Sequence, residues 1–491
     1  MGEIKKQGIS NAIISYIGIA IGFINLLVLQ PILLSPEEIG LTRILFSFSS
    51  IMSTVIPLGM INITLRFFPI FENKEKKHNG FFGFSILIAF VGFVFVGLVL
   101  FLTKDFFIEK YGKHSSLFIE FFNYVFPLSF FLALISIMGS YSAALLKTSF
   151  PSFLNDIFTR LLNIILFSVY FLKFISIETM IFLFVCIYLL QTFILFLYIN
   201  KIDSPGYKID IEFFIEKKVF TIIQYGLLFS IAAISSIGLR YIDSIIIGMY
   251  LPLAQVGVYS VCAFIPTIIE APLLSLERIT NAKIGKAWQE NNLIELDKIY
   301  TESVKYLLLL GGLLFVGINI NIKQLLSFLP NDYHQAFTIV YIISLGSFIN
   351  ISTGVNSGII FFSKKYKIGL MLLAMLFILT IVLDLILIPI YGTIGAAIAT
   401  AISSILFNFS KFLYVKNKFG FNPFKTKYFG ILLIIAICFF INKFFMPEHS
   451  NKIIEMLIKS CVATFVYMLF IIRFNYWPEI NNKIKSIFTK L

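Results

Sequence analysis

Charged residues are scarce in this chain: Asp, Glu, Lys and Arg make up 13% of its 491 residues. A soluble protein is normally about 25% charged, whereas 58% of this chain is hydrophobic and its mean hydropathy is +0.93. This composition excludes an ordinary soluble domain. We therefore expect an all-α polytopic membrane protein, for which lipid is the solvent around most of the chain.

Histidine and cysteine are also rare, with four residues of each. The cysteines fall in apolar stretches without metal-ligand spacing, and the sequence contains neither an HExxH motif nor a nucleotide-binding loop. The connecting segments are too short to carry a catalytic domain. We therefore expect no enzyme activity, no metal and no cofactor, and we place the function within the membrane spans.

Fourteen apolar stretches are long enough to cross a bilayer. They cover 10–34, 37–68, 80–103, 117–146, 150–172, 176–200, 219–250, 254–282, 304–329, 335–362, 367–389, 393–415, 426–446 and 453–473. Alternate assignment of the connections places 28 Lys and Arg residues on one side and seven on the other. The positive-inside rule then predicts that both termini are cytoplasmic, and the net charge of +13 needs no nucleic-acid partner.

Two segments resemble each other, "PILLSPEEIGLTRILFSF" and "GMYLPLAQVGVYSVCAFI". Aligning Gly40 with Gly257 leaves six spans between the copies, which predicts two parallel lobes of six helices. The predicted divisions are an N-lobe at 1–217, a C-lobe at 218–420, two further spans at 421–473 and a cytoplasmic amphipathic tail at 474–491.

Charged side chains inside the spans are candidates for function, because each costs about 2.5–3.5 kcal/mol at the bilayer centre. They are Arg43, Asp156, Arg160, Arg240, Asp243, Glu270 and Asp384. The Asp156–Arg160 and Arg240–Asp243 spacings allow pairing on one helix face. Such pairs have either a structural role or a role in transport. Glu270 and Asp384 are candidates for ion coupling.

Span 10 carries a polar stretch, "NISTGVNSG", in which Asn350, Asn356 and Ser357 are candidate binding groups. Irregular polar backbone survives in a membrane only against protein or a cavity, although close packing of small residues would also explain it. Gly18 and Gly22 in span 1 suit such packing. Polar groups from both predicted lobes would fit one central cavity, as in a transporter that works by alternating access.

The stretch "LDLILIPIYGTIGAAIAT" resembles the junction of spans 11 and 12 in Wzx-type polysaccharide flippases of the MOP superfamily, which also includes the MATE transporters. "SPEEIG", "LGMINITLRFFP" and "RYIDSIIIG" followed by "VGVYS" are similar to that family as well. The resemblance covers roughly residues 10 to 430. Where the family often has Asn five residues before the proline, this chain has Asp384.

The resemblance implies a bacterial inner-membrane flippase for undecaprenyl-diphosphate-linked oligosaccharide, in the synthesis of O-antigen, capsule or exopolysaccharide. It further implies that Arg43, Arg160 and Arg240 meet the diphosphate or acidic sugars, that H⁺ or Na⁺ drives transport, and that polysaccharide polymerase machinery is a partner. Three arginines against four acids leave a neutral glycan equally compatible.

Other functions are compatible with the same features. A MATE-type drug or cation antiporter is the nearest alternative, although span 1 lacks the acidic residue typical of that group. A lipid II flippase is a second relative. A membrane-embedded glycan polymerase or acyltransferase is disfavoured by the missing catalytic loop.

Overall fold

The computed structural model describes residues 2–216, 219–424, 428–445 and 450–476. The predicted amphipathic tail lies outside these ranges from residue 477 onward. Within the described ranges every regular element is helical and no strand occurs. The all-α class predicted from composition is therefore confirmed.

The α-helices run through the whole described chain and are joined by short connections. They are α1 Gly2–Ile24, α2 Gln30–Leu33, α3 Pro36–Val55, α4 Met60–Phe71, α5 Phe81–Leu102, α6 Lys104–Gly112, α7 Ser116–Phe121, α8 Val125–Ala144, α9 Ser149–Phe153, α10 Thr159–Phe171, α11 Ile177–Ile202, α12 Ile211–Glu216, α13 Val219–Tyr250, α14 Leu253–Phe264, α15 Thr267–Gln289, α16 Leu293–Leu326, α17 Phe337–Ser352, α18 Asn356–Phe362, α19 Tyr366–Tyr391, α20 Thr393–Phe419, α21 Phe429–Phe445 and α22 Lys452–Arg473. Two π-helical turns, Asn25–Leu29 and Leu154–Phe158, interrupt the first and fifth spans.

Eleven helices of the described chain are long and apolar enough to cross a membrane by themselves. Two further spans are bent, by 49° between α14 and α15 and by 55° between α17 and α18, and α21 contains a shorter apolar helix. These elements follow the order of the predicted stretches, and the described chain has eleven candidate spans, or thirteen if each bent pair counts as one. The protein is therefore a multi-pass membrane protein.

The outward faces of these helices are apolar. Phe101, Phe174 and Phe465 are each about two-thirds exposed or more, at 69%, 76% and 68%. Exposure of large apolar side chains on this scale would be costly in water. It fits helices whose outer surface meets lipid, and it leaves the interior for the polar groups described below.

The chain divides into two compact units. Unit 1 comprises Met1–Val261 and Ile381–Thr393, and unit 2 comprises Cys262–Thr380 and Ile394–Leu491. In unit 1, α13 packs along α3 and α4, and α8 packs against α3 and α11. In unit 2, α16 is central and contacts α15, α17, α21 and α22. The lobe boundaries expected from the repeat remain predictions.

The start of α3 shows how the sequence sets one of these helices. Ser35 and Glu38 have the S-x-x-E spacing of a capping box. The Glu38 backbone N–H donates to Ser35 Oγ at 3.3 Å, and the Ser35 N–H donates to Glu38 Oε2 at 2.8 Å. Pro36 occupies the first helical position. This sharp start fixes where Arg43 falls, two turns into the span.

Candidate functional site

Arg43 on α3 is half-buried in unit 1 and faces polar neighbours. Its Nη2 donates to Gln30 Oε1 at 3.3 Å. Tyr188 and Tyr241 lie close to the guanidinium, and the Phe46 ring contacts both tyrosine rings at 5.8 Å between centroids. The aromatic rings and the amide hold Arg43 in place and leave its remaining donors for another group.

Arg160 and Asp156 lie next to each other on the fifth span but bond to other groups. Arg160 Nη1 donates to the Gly18 carbonyl. Asp156 accepts from Ser15 Oγ at 3.5 Å and from Asn155 Nδ2 at 3.2 Å. Within the described chain no ion pair joins the two charges, although their i,i+4 spacing allows one. Both Arg160 and Asp156 find a hydrogen-bond partner on α1, the helix that packs against the fifth span.

Gly18 and Gly22 make room for these two side chains on α1. A Cβ built on Gly18 would lie 2.7 Å from Asp156 Cβ, and one built on Gly22 would lie 1.9 Å from Arg160 Nη1. The close packing predicted for the two glycines is confirmed. The missing side chains leave space for Asp156 and Arg160 of the fifth span, at and beside the π-helical turn Leu154–Phe158.

The structure brings two of the three predicted arginines into one region of unit 1. The charges of Arg43 and Arg160 lie close enough to repel each other. Arg240 on α13 is exposed. Within the described residues it makes no hydrogen bond and no ion pair, either with Asp243 or with any other residue. The structure therefore places Arg43 near Arg160. It does not pair Arg240 with Asp243 in the described chain.

Two carboxyl groups meet in the interior of unit 1. Asp384 on α19 is fully buried, Asp243 on α13 is 9% exposed, and the two carboxyl groups are close enough to interact electrostatically. Neither carboxyl oxygen of Asp384 has a hydrogen-bond partner in the described chain. The Tyr259 hydroxyl donates to Asp243 Oδ2. Two carboxylates this close cannot both be ionised at low cost. The pair is therefore a candidate for binding a proton or another cation.

Unit 2 carries the polar break predicted in span 10. The helix stops at Ser352 and resumes at Asn356, and Gly354 between them has a left-handed φ of +65°. Ser303 Oγ accepts from the Val355 N–H at 3.2 Å, which satisfies part of the opened backbone. Asn356 is fully buried.

Lys411 of α20 lies beside this break. The side chain is 3% exposed. Its Nζ donates to Ser357 Oγ at 2.9 Å and lies 4.3 Å from the Phe407 ring centroid. The charges of Glu277 and Glu270 are close by. Of the polar residues predicted in unit 2, the structure thus gathers Ser357 and Glu270 around a lysine.

Sequence reasoning missed Lys411 and Tyr259 as parts of the polar interior, and gave Gln30 no role there. Tyr259 carries a detectable signal, since it falls within the "VGVYS" motif of the second repeat copy. The sequence signal for Lys411 is weak. It lies only five residues before Lys416, and the sequence does not show how deeply its side chain is buried. Asn350 is half-buried at the end of α17.

No protein-family model and no curated protein matches this chain, but solved structures do. The lipid II flippase MurJ in an inward closed conformation has a TM-score of 0.68 at 18% identity, over 89% of this chain and 96% of that one. An inward-facing multidrug resistance MATE family transporter of the MOP superfamily has 0.63 at 14% identity, over 84% and 98%. A MATE in complex with MaL6 has 0.55 at 15% identity, over 85% and 96%.

These likenesses concern the fold. The chain has the polytopic helical fold found in a lipid flippase and in multidrug transporters. Almost the full length of each of those proteins is matched.

Proposed function

We propose that this protein is a transporter of the MOP superfamily that moves an oligosaccharide linked to undecaprenyl diphosphate across the bacterial inner membrane. The transported glycan would serve surface polysaccharide synthesis. The fold, the turn motifs at the junction of spans 11 and 12, and the polar groups of both units support this proposal. The cytoplasmic position of both termini belongs to the same proposal.

The arginine cluster, defined as Arg43 and Arg160, carries the proposal. In the described chain neither guanidinium has an ion pair, and each keeps donors beyond its one hydrogen bond, to Gln30 and to Gly18 respectively. Two cations without an ion-pair partner in the described chain are costly inside a membrane. A diphosphate would neutralise both, because guanidinium makes bidentate bonds to phosphate oxygens.

Recognition of the sugar would rest on neutral hydrogen-bonding groups of unit 2. Asn350, Asn356 and Ser357 surround the break in span 10, where an amide can both donate and accept. Arg240, with no described partner, is a further candidate for an acidic sugar.

The carboxyl pair Asp243–Asp384 is our proposed site for the coupling ion. Binding of one H⁺ or one Na⁺ removes the repulsion between the two carboxyl groups. Asp384 stands where the Wzx-type family often has Asn, so the second acid creates the pair. Glu270 is the alternative, and it belongs to the surroundings of Lys411.

Two alternative cargoes are each favoured by one observation. The match to a lipid II flippase favours lipid II. The carboxyl pair favours a cationic drug, as in an antiporter, but the arginine cluster would repel that cargo.

Gene deletion with complementation separates these cargoes. We expect the deletion to abolish surface glycan and to accumulate its lipid-linked intermediate in the cytoplasmic leaflet. Complementation with Arg43→Ala or Arg160→Ala should fail at normal protein level, whereas Arg→Lys variants should restore part of the export. Accumulation of lipid II would identify the lipid II function. Normal surface glycan with increased drug sensitivity would identify the antiporter.

A further inference from the structure

A cavity of about 410 Å³ opens where two connecting segments of unit 1 meet. One segment joins α4 to α5, and the other joins α11 to α12. Three lysines line the cavity, together with small and polar groups: Lys76, Lys77, Lys208, Ser204, Gly206 and Asn200. Its volume is within the range of small-molecule sites, about 300–1,000 Å³. We call it the loop pocket.

Backbone hydrogen bonds hold the two segments together. The Gly206 N–H donates to the Lys77 carbonyl at 3.1 Å, and the Asp210 N–H donates to the Asn79 carbonyl at 3.2 Å. Because Lys77 is itself part of this pairing, its position relative to Lys208 is set by the backbone. The backbone positions of Lys77 and Lys208 are therefore fixed by the pairing of the two segments.

A buried network beside the pocket occupies the carboxylate of Asp203, which directly precedes the lining residue Ser204. Asp203 Oδ1 is 3.0 Å from Nε2 of His78, which is 1% exposed, and Asp203 Oδ2 accepts from the Tyr141 hydroxyl at 2.6 Å. Both carboxylate oxygens are thus used inside the protein. Asp203 does not serve as the counter-ion of the pocket lysines.

The chain conformation at the pocket is strained, and one glycine allows it. Lys77, His78 and Asn79 all have left-handed φ values, of 47°, 55° and 53°, which cost about 1–3 kcal/mol each. Gly80 follows with φ +76°, and a Cβ there would lie 2.0 Å from the Lys208 carbonyl oxygen. Strain of this kind persists only where the surrounding structure fixes it, and here it presents Lys76 and Lys77 toward Lys208.

The three ammonium groups have no counter-ion in the described chain: none of them makes an ion pair or hydrogen bond there, and no acidic residue lines the cavity. The flanking spans end at Phe71 and Ile202 and begin at Phe81, so the pocket lies at a membrane surface. That surface is the one predicted to be cytoplasmic. Basic pockets at this level bind anionic lipid headgroups.

From this geometry we propose that the loop pocket binds a phosphate group, supplied either by the headgroup of an anionic phospholipid or by a soluble phosphate. The proposal is independent of the cargo. It concerns a surface site whose ligand stays on one side of the membrane.

Native mass spectrometry of the full-length protein tests the site, with phosphatidylglycerol, phosphatidylcholine or inorganic phosphate as the probe. We expect phosphatidylglycerol or phosphate adducts on the unmodified protein and none with phosphatidylcholine. Lys76→Gln, Lys77→Gln and Lys208→Gln should each weaken the adduct about fivefold, given the contribution of a single lysine near a membrane surface. The corresponding Arg variants should retain it.

Lys364, Lys365 and Lys367 provide the matched control. They are exposed, Lys364 and Lys365 in the connection before α19 and Lys367 in its first turn, on the same predicted side. Their change to Gln therefore removes three charges without touching the pocket. The adduct should survive in that variant. Lysine labelling in nanodiscs should show protection of the pocket lysines and not of these three.

The two probes identify the source of the phosphate. Loss of the phosphatidylglycerol adduct in the pocket variants supports a lipid headgroup, and binding of inorganic phosphate alone supports a soluble ligand. The proposal is overturned if both adducts are unchanged in the triple pocket variant, or if the control variant loses them equally.

Discussion

Gly40 and Gly257 pack against each other in unit 1 through reciprocal contacts. A Cβ on Gly40 would lie 2.0 Å from the carbonyl oxygen of Leu253, and a Cβ on Gly257 would lie 2.0 Å from that of Pro36. Leu253 precedes Gly257 by the same four residues that separate Pro36 from Gly40. Such reciprocity is typical of two repeat copies related by a two-fold axis.

Substitution of either glycine should destabilise unit 1, because the obstructing atom is backbone. We expect Gly40→Ala and Gly257→Ala each to cost about 1–3 kcal/mol, measured as a loss of thermal stability in detergent. Gly139→Ala is the matched control, since nothing lies within 4 Å of its Cβ. Equal stability of Gly40→Ala and Gly139→Ala would contradict the reciprocal contact.

Gly18→Ala and Gly22→Ala should have different consequences although both lie on α1. A Cβ at Gly18 meets the backbone oxygen of Asp156 at 2.8 Å, so Gly18→Ala should lower the amount of folded protein. A Cβ at Gly22 meets only the flexible end of Arg160. Gly22→Ala should leave the protein level near normal and reduce export as Arg160→Ala does. Quantitative immunoblotting beside an export assay checks both, and normal export by Gly22→Ala would argue against a role for the Arg160 position.

Arg240 and Asp243 should behave independently in a double-mutant cycle. Since no ion pair joins them in the described chain, Arg240→Ala and Asp243→Ala should have additive effects on stability, within about 0.5 kcal/mol. Asp243→Ala should carry nearly all of the loss, because it removes the partner of Tyr259. A coupling energy well above that limit would show that the two charges interact.

Replacement of Lys411 should be far more harmful than replacement of a neighbouring lysine. Removing one member of a buried charged group costs about 3–5 kcal/mol, since the opposite charge is left uncompensated. Lys411→Met should therefore destabilise unit 2, and adding Glu277→Gln should recover part of the loss. Lys418→Met on the same helix, where the side chain is exposed, should have little effect. Thermal unfolding of the unmodified protein, the two single variants and the Lys411→Met/Glu277→Gln double variant measures these differences. Equal stability of Lys411→Met and Lys418→Met would contradict the prediction.

The order of the spans could be predicted from sequence because lipid demands about 20 apolar residues for each crossing. The polar stretch around Gly354 likewise marked the break of span 10, since a positive φ and exposed backbone need special residues. These signals are local: each can be recognised in one window of the chain. The capping box at Ser35 belongs to the same class.

The partners of the charged residues could not be predicted in this way. The i,i+4 spacing of Asp156 and Arg160 allowed a pair, but both side chains turn toward α1, which is about 140 residues away in sequence. The contact of Asp243 with Asp384 likewise joins α13 to α19. The partner of each charged side chain depends on which helices pack together. No single stretch of the sequence contains that information.

The contact between α1 and the fifth span also affects how the protein is made. A chain is synthesised from its N-terminus, so the span carrying Ser15 and the Gly18 carbonyl reaches the bilayer before Asp156 and Arg160 do. The two charges then enter a membrane that already holds their hydrogen-bond partners, which lowers the insertion cost of about 2.5–3.5 kcal/mol for each. The order of the spans thus assists the insertion of Asp156 and Arg160, in addition to fixing their partners in the finished protein.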